Sequence, residues 1–252
     1  MNPYIKHLRK IEFVVTLACT GKCRHCSEGD HDGFTEHIDK TIAAEAVQKI
    51  CSYYSISTVM TFGGEPLLYP DTVCAIHKAA ASLGVSTRQV ITNGFFSKDK
   101  DRIKTVALSL AESGVNALLL SVDAFHQETI PLDTVMYFAG CAADCGIPVR
   151  LQPAWLVSAE DQNPYNKKTK EILRAFEPLR IPLNEGNVIF PEGNALKYLR
   201  EYFDDNAAPF SPYEEDPEDI RTISFGANGD VLNGNVYQTD ILEIIRTYRP
   251  YQ

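Results

Sequence analysis

Short β-branched and apolar runs alternate with segments of helical periodicity along most of the chain. The runs Glu12–Leu17, Thr58–Phe62, Arg88–Thr92, Ala117–Val122, Val149–Val157 and Asn187–Phe190 read as six strands. Between them, Val47, Ile50, Cys51 and Tyr54 sit at i, i+3, i+4 and i+7, and Val73, Ile76, His77 and Ala80 repeat that spacing. Each set lines one face of a helix. Asp71 is placed to cap the second helix, while Gly84, Gly114 and Gly146 stand where helices should stop. Strands alternating with helices pair in parallel through right-handed crossovers. The pattern predicts an α/β fold, either a doubly wound sheet or an incomplete barrel.

The character changes after a last barrel-like helix at about Ala195–Tyr202. Asn206–Asp219 is rich in Pro and acid and reads as a surface linker. Thr222–Phe225, Asn228-Gly229-Asp230 and Val231–Leu232 read as a hairpin, since Asn-Gly favours a type I′ turn. Ile241–Tyr248 closes the chain as a short helix. The expected division is a main unit over 1–205 and a small extension over 206–252.

Composition narrows the function. Of 252 residues, 44% are hydrophobic and 23% charged, an ordinary globular balance. A formal charge of −9 repels a phosphate backbone, so nucleic acid is not an expected partner. No apolar run approaches the roughly 18 residues of a membrane span, and the polar start lacks a secretory signal core. A cytoplasmic location without membrane attachment is expected. Three of the seven cysteines crowd into Cys19-Thr-Gly-Lys-Cys23-Arg-His-Cys26, directly after the first strand. In a reducing compartment this crowding calls for a metal. Cys51, Cys74, Cys141 and Cys145 fall in helical segments and read as buried small residues.

Three close thiolates can grip three corners of an iron–sulfur cubane and leave the fourth iron open. A zinc site completed by His25 or a distant residue is the alternative, although no second Cys-x-x-Cys pair exists. Cys-x3-Cys-x2-Cys at this place resembles the signature of the radical S-adenosylmethionine (SAM) superfamily. His25 stands where many members carry an aromatic residue. Phe62-Gly63-Gly64-Glu65-Pro66-Leu67 ends the second strand. Its glycines allow close backbone approach, and Glu65 suits an ammonium group. The segment resembles the family's Gly-Gly-Glu motif, which receives the amino group of SAM; a plain turn is the simpler reading.

Thr92-Asn93-Gly94 and Ser121-Val122-Asp123 end the third and fourth strands, where parallel-strand enzymes gather polar groups at one mouth. Thr92, Asn93, Ser121 and Asp123 resemble family positions that touch the SAM carboxylate and ribose. Asn-Gly as a turn and Asp123 as a helix cap are the alternatives. Gln152 is placed to point into the barrel, and Pro191-Glu192-Gly193-Asn194-Ala195 resembles a family turn near the adenine. His126 reads as a hydrogen-bonded loop residue or a catalytic group, and His77 as core.

The resemblance implies a partial (β/α)6 barrel with a small C-terminal hairpin–helix extension. It implies a [4Fe–4S] cluster on Cys19, Cys23 and Cys26, and SAM held by Gly63, Gly64, Glu65, Thr92, Asn93, Ser121 and Asp123. It also implies an electron donor of flavodoxin or ferredoxin type. The family cleaves SAM to a 5′-deoxyadenosyl radical that abstracts hydrogen. The hairpin from Ile223 to Val231 resembles the start of the extension in peptide-modifying members, which points to a peptide or amino-acid-like substrate. A small metabolite is the alternative, favoured by the absence of a preceding peptide-recognition domain. A metal-stabilised binding protein is the non-enzyme alternative. With no cysteine beyond Cys145, the extension cannot ligate an auxiliary cluster, and it is expected to lie across the barrel mouth as a lid.

Overall fold

The structure, a computed structural model, describes residues 2–204 and 209–250. The expected boundary between residues 205 and 206 lies outside the described residues. The strands are β1 (Lys10–Val14), β2 (Thr58–Phe62), β3 (Thr87–Thr92), β4 (Ala117–Ser121), β5 (Val149–Gln152), β6 (Ala154–Trp155), β7 (Asn187–Val188), β8 (Thr222–Phe225), β9 (Asp230–Val231) and β10 (Gly234–Asn235). The helices are α1 (Lys40–Cys51), α2 (Pro70–Ser82), α3 (Lys100–Glu112), α4 (Leu132–Asp144), α5 (Pro164–Arg174), α6 (Gly193–Tyr198) and α7 (Ile241–Thr247). No helix among the described residues is long and apolar enough to cross a membrane.

One sheet runs in the order β10-β9-β8-β1-β2-β3-β4-β5, and β1 to β5 pair in parallel with their neighbours. This is the parallel sheet of a partial barrel. In β1 and β4 buried and part-exposed residues alternate, as expected where one face packs under helices. Register puts Phe13 beside Thr61, Val90 beside Leu118 and Leu118 beside Val149, so each helix-facing row continues across the sheet. Asp39 caps α1 by accepting from the Thr41 and Ile42 amides, and Asp99 caps α3 in the same way. Gly84, Gly114 and Gly146 have positive φ just past α2, α3 and α4, as helix-terminating glycines should.

Several expectations are corrected. Asp71 is not the cap of α2: Tyr69 occupies that position, Pro70 starts the helix, and Asp71 lies in the first turn. The expected fifth strand breaks at Pro153, which has no amide hydrogen to donate, into β5 and β6. The sixth strand, β7, pairs only with β6 in a separate two-stranded sheet. The hairpin forms, but Gly229 alone of its turn has positive φ. A turn closed by Gly229 N to Gly226 O, with a left-handed glycine after it, replaces the type I′ turn. Cys51, Cys74, Cys141 and Cys145 are partly rather than fully buried.

The extension is placed differently from a lid. β8 pairs in parallel with β1, Lys10 beside Thr222 and Phe13 beside Phe225. The Phe13 and Phe225 rings stack at 4.6 Å. Ile223, Phe225, Ile241, Ile244, Ile245 and Tyr248 belong to the same apolar core as Ile11 and Val59. Asn2 ties the far end by donating to the carbonyls of Ile245 and Tyr248. The extension therefore continues the barrel sheet past β1.

Candidate functional site

The ends of β1 to β4 present one rim. Past Val14 the chain stays hydrogen-bonded along the end of β2, with Val15 N donating to Phe62 O at 2.8 Å. Gly64 N donates to Thr16 O and Glu65 N to Ala18 O, both at 2.8 Å. A Cβ at Gly63 would stand 2.3 Å from Thr16 O, and one at Gly64 2.3 Å from Ala18 O. The paired glycines thus let two backbones cross, and the crossing sets the start of the cysteine loop against the Gly-Gly-Glu turn.

Cys19 Sγ accepts from the Gly21 amide at 3.3 Å, with Asn93 Nδ2 3.6 Å away. Cys23 is buried, and Cys19 and Cys26 are partly so. Burial pushes the Cys19 thiol up to about 11 and raises Cys23 further, with Asp123 and the neighbouring cysteines adding to it. Burial also raises Cys26. Burial thus holds each thiol toward its protonated form.

Glu65 is fully buried. Its carboxylate accepts from the Leu67 amide at 2.9 Å, the Thr92 hydroxyl at 2.7 and 2.9 Å, and the Asn93 amide at 2.9 Å. Burial raises its pKa to about 7 against these donors, since no cation stands within ion-pair distance among the described residues. Asn93 continues the chain of contacts by donating to Thr20 Oγ1 at 3.2 Å. Thr92 and Asn93 therefore sit between Glu65 and the cysteine loop, as their strand-end position predicts.

Asp123, also fully buried, ties a turn. Oδ1 accepts from the Phe125 and His126 amides, and Oδ2 accepts from the Ala154 amide and sits 2.7 Å from His126 Nδ1. Burial pushes its pKa up, but the charge and hydrogen bonds of His126, with the nearby His25, hold it below the ordinary carboxylate value. Both oxygens accept from protein partners across the turn, although Phe125 rather than Asp123 is the N-cap of the short 3-10 helix His126–Glu128. The His25 ring meets His126 edge-on at 4.8 Å and Phe125 at 5.0 Å. Burial lowers its pKa to about 4, leaving it neutral at pH 7.

Comparison with known proteins decides the family: residues 13–149, more than half of the chain, match the model of the radical SAM superfamily. The chain belongs to that superfamily. It is 26% identical over 119 residues to GTP 3′,8-cyclase of Chlorobaculum tepidum (strain ATCC 49652 / DSM 12025 / NBRC 103806 / TLS), a match covering 47% of this chain and 34% of that protein. It is 26% identical over 145 residues to GTP 3′,8-cyclase of Clostridium perfringens (strain SM101 / Type A), covering 52% and 43%. These matches span less than half the length of either relative. Native anSMEcpe with bound AdoMet aligns over 95% of this chain and 80% of its own at 13% identity and a TM-score of 0.58, a likeness of fold. The protein is a radical SAM enzyme, of a family that uses a [4Fe–4S] cluster and SAM.

In this radical SAM enzyme the remaining predicted residues are spread around the rim. Ser121 is partly exposed at the end of β4, beside Gln152 of β5. Gln152 is engaged by Asn184 and Asn187. In the 191–195 turn, a Cβ at Gly193 would meet Ser27 O at 2.2 Å, and the Asn194 amide donates to Cys26 O at 2.8 Å. That turn clamps the cysteine loop from behind. His77 is core, as expected, with Nε2 2.9 Å from Thr61 Oγ1. Sequence reasoning missed His31, whose Nε2 lies 3.1 Å from Cys26 Sγ and whose Nδ1 lies 2.6 Å from Leu17 O. Its only signal was a histidine five residues beyond the last cysteine.

Proposed function

We propose that Cys19, Cys23 and Cys26 hold the [4Fe–4S] cluster through three irons, and that SAM lies over the rim formed by Gly63, Gly64, Glu65, Thr92, Asn93 and Ser121. The observation that carries this reading is electrostatic. Three crowded thiols and one buried carboxylate share a rim, all held toward their neutral forms by burial. A cluster's irons and the ammonium group of SAM are the charges such a rim lacks. Bound together, they supply a one-electron reductive cleavage whose radical product takes hydrogen from a C–H bond.

The chain's own residues position and shield. Gly64 fixes the backbone crossing, Glu65 offers a carboxylate already aimed by three donors, and Asn93 links that carboxylate to the loop. Asp123 acts through the turn it ties and the His126 ring it holds. The site lies in the 1–205 unit, and 206–252 is an extension without an auxiliary cluster. The reductant is a flavodoxin- or ferredoxin-type donor in the cytoplasm. Helix α5, with Lys167, Lys170 and Arg174 on one side and Lys168 paired to Glu171, would suit an acidic one, on a protein of charge −9.

The substrate in this reading is a peptide or amino-acid-like molecule. Support comes from anSMEcpe, which has also been solved with AdoMet and a Cp18Cys peptide. A small-metabolite substrate is the second reading, favoured by the GTP 3′,8-cyclases among the relatives. The test is anaerobic. Reconstituted protein should hold about four irons per chain and release 5′-deoxyadenosine from SAM, faster with added peptide than with GTP. The Cys19→Ala/Cys23→Ala/Cys26→Ala protein should do neither; visible cluster absorbance in it would refute the ligand assignment.

A further inference from the structure

Helix α4 is unusual for a helix on the outside of the layer. A surface helix carries polar residues on its outer face, yet Leu132–Asp144 has only two charged residues, Asp133 near one end and Asp144 at the other. Val135, Phe138, Ala139 and Ala142 face the core. Met136, Tyr137, Gly140 and Cys141 are half-exposed on the other side. With Leu179 they line a shallow groove of about 410 Å³. Gly140 sits at its centre, mid-helix, without positive φ and with nothing within 4 Å of a would-be Cβ. The single chain therefore has no use for a glycine that costs its helix about 0.5–1 kcal/mol. We propose that this face of α4 is the contact between two copies of the chain, packed antiparallel about a twofold axis with Gly140 at the crossing.

Charge selects a second copy as the occupant. Lys100 of α3 stands over the Tyr137 ring, 5.1 Å from its centre, and Lys104 donates to the Tyr137 hydroxyl. One end of the face is thus basic, and the other carries Asp144, exposed. In a twofold contact, each end of the patch meets the opposite end on the other copy. With Gly140 at the crossing, Asp144 of each copy faces Met136 and Tyr137 of the other, in reach of Lys100 and Lys104. Two such charge pairs flank one apolar centre. A parallel arrangement would set Asp144 against Asp144, so only the antiparallel one is self-complementary. Asp133 falls opposite position 147, past the end of the facing helix, and stays in water. The missing Cβ at Gly140 lets the two backbones approach, and Met136 and Cys141 close over the crossing from either side. None of these residues belongs to the rim, so the contact leaves the site open and stands independently of the cluster reading.

The deciding experiment is anaerobic sedimentation velocity on the full chain, reconstituted with iron and sulfide. Between about 1 and about 100 µM the sedimenting species should shift from one chain to two, as suits a small reversible interface. Gly140→Arg, whose side chain meets open space within one chain, should weaken the association about tenfold or more. Its iron content and circular dichroism should match the parent's, and its urea midpoint at about 1 µM should be no lower. Asp144→Lys should also weaken the association about tenfold or more, and adding Lys100→Asp and Lys104→Asp to it should restore the parent's behaviour. A single chain at every concentration would overturn the pair. If its mass then rises only with added flavodoxin, and not in Gly140→Arg, the face belongs to the reductant instead. Association that survives Gly140→Arg would put the contact on another face and overturn the assignment. Association untouched by Asp144→Lys, or not recovered in the charge-swapped chain, would overturn the antiparallel arrangement. Failure to take up iron would refute the cluster reading alone, and the same sedimentation would still decide the pair.

Discussion

His77 lies wholly inside the sheet–helix layer, with Thr61 its one hydrogen-bond partner among the described residues and Nδ1 buried and unpaired there. Burial, with the charge of Arg88, lowers its pKa to about 3, against an ordinary 6.5. Below pH 6.5 the unfolded chain therefore binds a proton that the folded chain refuses. The stability tied to neutral His77 is lost as pH falls from 6.5 toward 3, by about 2 kcal/mol at pH 5. Glu65 works in the opposite direction, because burial raises it to about 7. Its contribution is full below pH 4.5 and is lost as pH rises toward 7. We predict that His77→Gln flattens the fall in urea midpoint between pH 7 and pH 5, whereas Glu65→Gln steepens it. Profiles parallel to the parent's would show that neither group titrates as its burial implies. The identity of these residues was legible as "core" or "ligand", but the direction of each shift depends on neighbours far away in sequence.

Elements were read well where the pattern is local and poorly where a partner decides. β2 has the expected bounds, because its β-branched run is flanked by its own turn residues. β5 and β6 read as one strand, because the apolar run continues through Pro153 and only pairing reveals the break. The Gly63-Gly64 pair is similar: its presence suggested close approach by a ligand, and the folded chain adds a close approach by the Thr16–Ala18 backbone. Gly64→Ala should therefore cost about 3 kcal/mol or more and reduce iron loading, since a backbone oxygen 2.3 Å away must yield. Gly140→Ala is the matched control. It lies inside α4 with nothing within 4 Å of its would-be Cβ, and should stabilise the protein by about 0.5–1 kcal/mol. Urea denaturation of both proteins checks the contrast, and equal effects would contradict the crossing.

At the scale of the molecule, the C-terminal segment is part of the barrel's core. Phe225→Ala removes a fully buried ring stacked on Phe13 and should cost about 3–5 kcal/mol. Deleting residues 206–252 strips β8 from β1 and removes eight core side chains, so the shortened chain should aggregate or melt far below the parent. A lid would behave otherwise: its loss would leave the melting temperature unchanged and release 5′-deoxyadenosine without product. Thermal melts of the deletion protein separate the two. The cysteine loop, the Gly-Gly-Glu turn, the strand–helix alternation and the hairpin were all legible in order along the chain, because each is a pattern among near neighbours. The place of β8 beside β1, the bonding of Asp123 to residues as distant as Ala154, the approach of His31 to Cys26 and the meeting of His25 with His126 were not. Each depends on which surfaces meet when loops close, and a parallel partner or a buried charge is chosen by the packing of the whole sheet rather than by the residues on either side.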